Sequence, residues 1–186
     1  LVPRPESELL VEVALGLPRG ASVLDVGTGC GAIALALKDE RPDLKLTGSD
    51  ISASALELAR ANGRRLGLEV SWRHGDLLAG MPDDFHAVLA NLPYVCEHER
   101  ASLAPEILRH EPSQALFAGP DGLGAIRALL AALGARGRVS FLALEVGGGQ
   151  APAVAEMTLA AGFSAVRCER DLAGIERVVV GERAPR

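Results

Sequence analysis

The run Asn91-Leu92-Pro93-Tyr94 carries the groups best suited to chemistry in this chain, and it follows an apolar segment that ends at Ala90. The Asn91 side-chain oxygen and the Leu92 carbonyl oxygen can each accept one hydrogen from an incoming NH₂ group. Pro93 has no N–H and a fixed φ, which would hold that carbonyl in place, and Tyr94 would flank a planar group. Because an amide nitrogen is a poor nucleophile, positioning must replace basicity. We predict that Asn91, Leu92, Pro93 and Tyr94 are the catalytic residues.

A glycine cluster occurs earlier, at the end of another apolar run, in the segment Leu24-Asp25-Val26-Gly27-Thr28-Gly29-Cys30-Gly31-Ala32. Alternate glycines at a strand-to-helix turn let the backbone turn tightly and let a ligand approach without interference from a Cβ atom. The dinucleotide fingerprint G-x-G-x-x-G is not met, because Ala32 stands where the third glycine would fall, and this argues against NAD. The cluster resembles the first motif of class I S-adenosylmethionine-dependent methyltransferases, which holds the methionine moiety.

Acidic residues at the ends of the next two predicted strands extend this cofactor site. Asp50 comes 19 positions after Gly31, where a carboxylate can accept both ribose hydroxyls of an adenosine. The resemblance implies that Asp76 faces the adenine amino group and that Leu77 packs on the ring. The predicted cofactor-binding residues are Asp25, Gly27, Thr28, Gly29, Cys30, Gly31, Asp50, Asp76, Leu77 and Asn91.

Purely structural interpretations of these residues also exist. A glycine turn can serve as a plain βα connection, and Asp50 could cap a helix beside Ser52. Asp25 could touch the cofactor ammonium or orient the glycine loop through backbone bonds. Three elements at consecutive strand ends favour a cofactor site, because open α/β sheets bind ligands at the carboxyl ends of their strands.

The elements that would position these residues follow a regular alternation. Apolar runs rich in Val, Leu and Ile alternate with helix-period segments, which is typical of βαβ units. This alternation predicts an α/β fold with a seven-stranded, mostly parallel sheet, helices on both faces and an antiparallel last strand. The resemblance of the glycine cluster implies that it is the Rossmann-like fold of class I S-adenosylmethionine-dependent methyltransferases. The predicted strands are residues 22–26, 44–48, 69–73, 85–90, 139–146, 163–168 and 177–180, and the predicted helices are 6–15, 32–37, 53–66, 123–133 and 151–161. Residues 91–120 are predicted to form a long loop with one short helix, and a turn at 171–174 is predicted to link the last two strands.

Composition narrows the class of protein further. The 186 residues fit one domain, and their formal net charge of −5 creates no field that would attract phosphate backbones, so nucleic acid is an unlikely partner. No stretch approaches the roughly 18 apolar residues of a membrane span, and we expect a cytoplasmic location. Cys30, Cys96 and Cys168 are predicted to be reduced thiols, because neither they nor the four histidines have disulfide or metal-ligand spacing. We therefore predict no metal site.

Several motifs occur in a fixed order: Pro3-Arg4-Pro5-Glu6-Ser7-Glu8, the glycine cluster, the N-x-P-Y tetrapeptide, Glu111-Pro112 with Ala115-Leu116, Gly119-Pro120-Asp121-Gly122-Leu123, Leu144-Glu145-Val146-Gly147 and Asp171-Leu172-Ala173-Gly174. In this order they resemble the protein-(glutamine-N5) methyltransferases that modify peptide chain release factors, the HemK/PrmC family, over essentially the whole chain. The resemblance implies S-adenosyl-L-methionine as methyl donor, S-adenosyl-L-homocysteine as product, and the glutamine of a release factor's Gly-Gly-Gln tripeptide as acceptor.

The chain departs from this family at two points. Leu92 stands where the family's usual N-P-P-Y has its first proline, although the carbonyl acceptor survives the change. The family also carries an N-terminal helical domain that docks the protein substrate. Because the chain begins where the catalytic domain starts, we expect residues 1–186 to be the catalytic domain, with the docking domain absent.

Two other functions stay open at this point. An adenine-N6 methyltransferase acting on RNA or DNA would use the same tetrapeptide, because the exocyclic amine offers the same two hydrogens. A module that binds the cofactor but is impaired in catalysis is the second alternative. Gly148-Gly149-Gln150 looks like the acceptor tripeptide, but it falls between a strand and a helix, so we do not expect self-methylation.

Overall fold

A computed structural model describes residues 7–82, 84–102, 116–136 and 138–183, without the side chains of residues 101, 102 and 136. One sheet crosses the whole fold, with the strands β1 (Ser22–Val26), β2 (Lys45–Asp50), β3 (Ser71–His74), β4 (Ala87–Ala90), β5 (Phe141–Glu145), β6 (Ala165–Arg170) and β7 (Glu176–Glu182). Their order across the sheet is β3-β2-β1-β4-β5-β7-β6. Only β7 runs against its neighbours β5 and β6, and the other pairs are parallel. The predicted seven-stranded, mostly parallel sheet is confirmed.

Helices cover both faces of this sheet. Within the described ranges they are α1 (Glu8–Ala14), α2 (Ala32–Glu40), α3 (Ala53–Leu66), α4 (Gly124–Arg136) and α5 (Ala151–Ala160), together with a 3-10 helix (Glu97–Ser102). The 3-10 helix is the short helix predicted for the 91–120 segment. None of these helices has the length and apolar character needed to cross a membrane.

The strands separate two apolar cores because successive side chains point to opposite faces of a sheet. Leu24 and Val88 pack with α4 and α5 in one core, whereas their neighbours Val23 and Leu89 pack with α1 and α2 in the other. All four side chains are completely buried. This rigid centre holds the carboxyl ends of β1 and β4 in a fixed arrangement.

Several predicted element bounds are shifted by a few residues. β3 begins at Ser71 rather than at residue 69, because only Ser71–His74 pairs with β2. β4 begins at Ala87 rather than at residue 85, and β6 begins and ends two residues late. The predicted turn between β6 and β7 is confirmed, since the Gly174 amide donates to the Asp171 carbonyl at 2.9 Å.

Some predictions fall outside the described residues. These include the motif residues Pro3, Arg4, Pro5, Glu6, Glu111, Pro112 and Ala115, together with the predicted beginning of the first helix at residue 6. The described part of that helix begins at Glu8 and buries Leu10 against the sheet.

Candidate active site

The predicted site residues meet at one edge of the sheet, where β1, β2 and β4 end. The chain leaves β1 for β2 on one side and later reaches β4 on the other, so the strand order reverses between β1 and β4. Open α/β sheets bind ligands at this kind of switch point. The glycine loop follows β1, Asp50 ends β2, and Asn91 follows β4. The fold therefore brings the predicted cofactor loop and the predicted catalytic tetrapeptide side by side.

The glycine loop has a backbone conformation that residues with a side chain rarely adopt. Gly27, Gly29 and Gly31 have φ values of 71°, 57° and 84°, all in the left-handed region. The loop is tied to β2, because the Thr28 amide donates to the Ser49 carbonyl at 2.9 Å. Its glycines are thus required by the backbone conformation.

Gly31 has a second reason to lack a side chain. A Cβ atom there would lie 2.7 Å from Cη2 of Trp72 and 3.1 Å from Cβ of Ala59 on α3. Trp72 also fills the space over Gly48 on β2, where a Cβ atom would meet its ring at 2.5 Å. Trp72 on β3 thus packs against the glycine loop, which lies far from it in the sequence.

Asp25 lies fully buried beneath the loop. Its Oδ2 accepts a hydrogen bond from the Thr28 hydroxyl at 2.5 Å, while no donor among the described residues reaches its Oδ1. Burial raises the pKa of Asp25 from its ordinary value of 3.8 to about 6, against the lowering effects of Thr28 and the Ala34 amide. Of the two roles predicted for Asp25, orientation of the loop is supported by the hydrogen bond from the Thr28 side chain. Contact with a cofactor ammonium stays a prediction.

We expect the buried Asp25 to make the protein less stable as the pH rises from about 4 to about 6. The folded state holds this proton more tightly than the unfolded chain, so the stabilising effect is complete below the unfolded pKa of 3.8 and is lost as the pH passes the folded pKa. The loss should be about 3 kcal/mol, at roughly 1.4 kcal/mol per pKa unit. Urea unfolding of the wild type and of Asp25→Asn between about pH 4 and about pH 6 isolates the contribution of Asp25 to the free energy of unfolding. Parallel pH profiles for the two proteins would contradict the prediction.

Asp50 is bound on both of its carboxylate oxygens. Oδ2 accepts from the Gly29 amide at 2.9 Å, and Oδ1 accepts from the Ser52 amide at 2.8 Å. Ser52 is the residue that caps α3, because its hydroxyl accepts from the Ala55 amide at 3.2 Å. Asp50 is therefore not the helix cap. Since each carboxylate oxygen can accept two hydrogen bonds, both retain capacity for a ligand hydroxyl.

Asp76 and Leu77 lie next to the same strand end. The Gly75 amide donates to the Asp50 carbonyl at 3.1 Å, which ties this turn to β2. Asp76 is exposed, and Leu77 has a φ of 49°, the one positive value among the described residues other than glycine. A bulky side chain in the left-handed region is unusual and marks a constrained position.

Cys30 lies beside α2 and α3. Its carbonyl accepts from the Asn62 side-chain amide at 3.0 Å, and it lines a cavity between α2 and α3 with Asn62 and Arg65. Cys30, Cys96 and Cys168 are all free. No group of histidine, cysteine and acidic side chains suited to a metal ion occurs in the described ranges.

Hydrogen bonds at Asn91 and apolar packing at Leu92 hold the tetrapeptide in place. The Asn91 Nδ2 atom donates to the Ser7 hydroxyl at 3.0 Å, and the Ser7 hydroxyl donates to Glu145 at 2.6 Å. The Leu92 side chain is buried, and a Cβ atom on Gly27 would lie 3.1 Å from its Cδ2. Leu92 thus packs over the glycine loop. Its burial restrains the backbone at this position, which the ring of a proline would otherwise restrain.

We expect Leu92→Ala to lower the free energy of unfolding by about 2–5 kcal/mol, the range for removing a buried leucine side chain. The matched control is Leu172→Ala, because Leu172 is completely exposed in the β6–β7 turn and should change stability by less than about 0.5 kcal/mol. Urea unfolding monitored by circular dichroism measures both. Equal effects of the two substitutions would show that Leu92 is not anchored in the core.

Tyr94 is fixed through its backbone. Its carbonyl accepts from the Gln150 side-chain nitrogen at 2.9 Å, and the Gln150 side-chain oxygen accepts from the Gly147 amide at 2.8 Å. Gly122 approaches so closely that a Cβ atom there would collide with the Tyr94 carbonyl. Both ends of the Gln150 amide are therefore engaged, which agrees with the expectation that Gly148-Gly149-Gln150 is not a methyl acceptor.

Three polar residues that hold the tetrapeptide were given no role by sequence reasoning. Ser7 directly precedes α1. Glu145 is the last residue of β5, and Gln150 directly precedes α5. Glu145 offered a signal, because a glutamate inside the apolar run 139–146 needs a partner when it is buried. Ser7 offered none beyond its place in the ordered motifs, and Gln150 was considered only as part of Gly148-Gly149-Gln150.

Known proteins resemble this chain in both sequence and fold. Residues 5–119 match the family described as Methyltransferase small domain. The chain is 44% identical to a release factor glutamine methyltransferase of Deinococcus radiodurans, with 99% of this chain and 67% of that protein covered. It is also 44% identical to one of Gloeobacter violaceus, with 97% and 66% covered. The chain therefore spans about two thirds of the length of these relatives.

A solved structure shows the same fold at lower sequence identity. A methyltransferase from Pyrococcus furiosus superposes with a TM-score of 0.71 and 15% identity, covering 100% of this chain and 85% of that one. The class I methyltransferase fold predicted from the sequence is thus confirmed by a structural neighbour as well as by the strand order.

Proposed function

Because the chain belongs to the family of release factor glutamine methyltransferases, we propose that it methylates the side-chain N5 of the glutamine in a release factor's Gly-Gly-Gln tripeptide. It is an S-adenosylmethionine-dependent methyltransferase. The observation that carries the proposal is the orientation of Asn91. Its side-chain nitrogen is engaged by Ser7, so its oxygen is left to accept a hydrogen from a substrate NH₂ group.

The glycine loop and the two neighbouring strand ends fit S-adenosylmethionine. An added Cβ atom would meet Leu92 at Gly27 and Trp72 at Gly31, but it would meet no side chain at Gly29, which leaves room for a ligand there. We propose that Asp25, Gly27, Thr28, Gly29, Cys30, Gly31, Asp50, Asp76, Leu77 and Asn91 hold the cofactor. When bound, the cofactor supplies an electrophilic methyl group on a positively charged sulfur.

The tetrapeptide would bind and orient the acceptor amide. Asn91 Oδ1 and the Leu92 carbonyl would each accept one of the two amide hydrogens, which fixes the direction of the nitrogen lone pair. As the nitrogen gains positive charge, both oxygen dipoles would stabilise it more strongly than they stabilise the neutral amide. Pro93 and Tyr94 would hold the plane of the amide, and a proton on the methylated nitrogen would leave to water.

We also propose that residues 1–186 act as the catalytic domain and that the release factor is a protein partner. A cytoplasmic location belongs to the same proposal, because a release factor works where proteins are synthesised. The adenine-N6 activity finds no support in these relatives, whose names specify glutamine in release factors.

The decisive experiment is transfer of a labelled methyl group from S-adenosylmethionine to a purified release factor. Its controls are the release factor with the acceptor Gln→Ala change, and bulk RNA. We expect label on the release factor that disappears with the acceptor glutamine. Label on RNA would overturn the assignment in favour of the adenine reaction, and bound cofactor without any labelled product would identify a binding module impaired in catalysis.

A further inference from the structure

A chain of hydrogen bonds lies behind the tetrapeptide, on the side away from the predicted substrate. Asn91 Nδ2 donates to Ser7 Oγ at 3.0 Å, and Ser7 Oγ donates to Glu145 Oε2 at 2.6 Å. The Tyr94 hydroxyl lies 3.5 Å from the other oxygen of Glu145. Ser7 is 9% exposed and Glu145 is 2% exposed, so water does not easily replace these contacts.

Glu145 determines which groups donate and which accept in this series of hydrogen bonds. Glu145 accepts on both carboxylate oxygens, because the Ser7 hydroxyl donates to Oε2 and the Tyr94 hydroxyl faces Oε1. The single proton of the Ser7 hydroxyl is therefore committed to Glu145. Toward Asn91, Ser7 can then only accept, which requires the nitrogen of the Asn91 amide to face it.

We propose that Glu145 is a positioning residue that acts through Ser7 to hold the Asn91 amide with its oxygen toward the substrate. This inference rests on the proposed function, because an oxygen at that place matters only if the substrate presents an NH₂ group. The ordered motifs include Ser7 and Glu145 but assign neither of them a role. The contact also joins residues 138 positions apart, so it ties the entry to α1 to the end of β5.

The proposal predicts that a substitution at Glu145 can reverse the direction of these hydrogen bonds. In Glu145→Gln the new side-chain nitrogen can donate to Ser7, which frees the Ser7 proton to donate to Asn91 Oδ1. The Asn91 amide would then turn over and present its nitrogen to the substrate nitrogen, two donors facing each other. We expect kcat to fall about 100-fold, as for other lost polar contacts to a developing charge, with KM and the cofactor Kd changed less than about threefold.

Removal and rescue at Ser7 test the same step. Ser7→Ala should lower kcat about 10- to 100-fold because the Asn91 amide loses its anchor. Ser7→Thr keeps a hydroxyl and should restore most of that loss. The matched control is Ser140→Ala, which removes a partly buried hydroxyl bound to His86 at the opposite end of β5 and should leave kcat unchanged.

The experiment measures kcat and KM with a release factor, together with the side-chain amide resonances of Asn91 in ¹⁵N-labelled protein, assigned by their loss in Asn91→Asp. We expect these resonances to shift in Ser7→Ala and in Glu145→Gln, and to return toward the wild-type position in Ser7→Thr. Unchanged resonances in both variants, or kcat within about threefold of the wild type, would overturn the positioning role.

The two proposals fail in different ways. If the wild type transfers no methyl group to a release factor, the proposed function fails, and the Asn91 resonances still decide whether Glu145 orients the amide. If Glu145→Gln does not fold, the comparison of Ser7→Ala with Ser7→Thr decides the question alone. A loss of activity in Ser7→Ala that Ser7→Thr does not rescue would also contradict the inference.

Discussion

Asn91→Ala is expected to lower kcat for methylation of a release factor by about 100- to 1,000-fold, the cost of removing one preorganised polar contact to a developing charge. The alanine would leave the substrate amide with the Leu92 carbonyl as its sole predicted acceptor. The nitrogen would then rotate, and its lone pair would no longer be aimed at the methyl group. Initial rates with labelled cofactor measure the effect.

Cofactor affinity separates this effect from damage to the site. Asn91 is one of ten residues proposed to hold the cofactor but one of only two proposed acceptors for the substrate amide, so the Kd for S-adenosylmethionine should rise less than kcat falls. Asn91→Asp provides a second variant, because it keeps an oxygen acceptor of the same shape but cannot donate to Ser7. We expect it to lose at least tenfold in kcat. An Asn91→Ala protein that binds cofactor and methylates at the wild-type rate would remove Asn91 from the mechanism.

The general arrangement of the fold and of the site could be predicted because it depends on local patterns. Alternation of apolar runs with helix-period segments is visible in any window of the chain, and it defines the parallel sheet. Glycines at 27, 29 and 31 require a turn that few other residues make, so their spacing marks the loop. The edge of the sheet then follows from topology, since parallel strands present their carboxyl ends together.

Strand bounds could not be predicted as well, because they depend on partners. Glu69 and Val70 continue the alternation of polar and apolar residues seen in Ser71 and Trp72, yet β3 pairs with β2 only from Ser71 onward. The partner of β3 is a neighbour in space, and its register is fixed by the core packing rather than by the residues of β3 themselves.

The contacts that orient the tetrapeptide were beyond sequence reasoning for the same reason. Ser7 is 84 positions from Asn91, and Gln150 is 56 positions from Tyr94. Pairing across such separations is created by the fold. Gln150 illustrates the consequence, because the sequence showed only that Gly148-Gly149-Gln150 looks like the acceptor tripeptide, whereas the structure shows that Gln150 donates to the Tyr94 carbonyl.

Asp50→Ala is expected to raise the Kd for S-adenosylmethionine by about 100-fold. A carboxylate that accepts from two ribose hydroxyls contributes roughly 1.5–3 kcal/mol per charged hydrogen bond, and part of this is offset by desolvation. Asp50→Asn keeps an oxygen acceptor without the charge and should give an intermediate Kd. Isothermal titration calorimetry measures all three proteins, after thermal unfolding has shown that each variant is folded.

Loss of affinity alone would not identify the ribose contact, because Asp50 also accepts from the Gly29 amide and its removal would loosen the glycine loop. The nucleoside itself distinguishes the two causes. If Asp50 binds the ribose hydroxyls, the wild type should bind adenosine at least tenfold more tightly than 2′,3′-dideoxyadenosine, and Asp50→Ala should bind both equally. If the variant weakens both nucleosides by the same factor and keeps the wild-type preference, Asp50 acts only by supporting the loop. Because both oxygens of Asp50 keep an unused acceptor position after binding Gly29 and Ser52, we expect the preference to disappear.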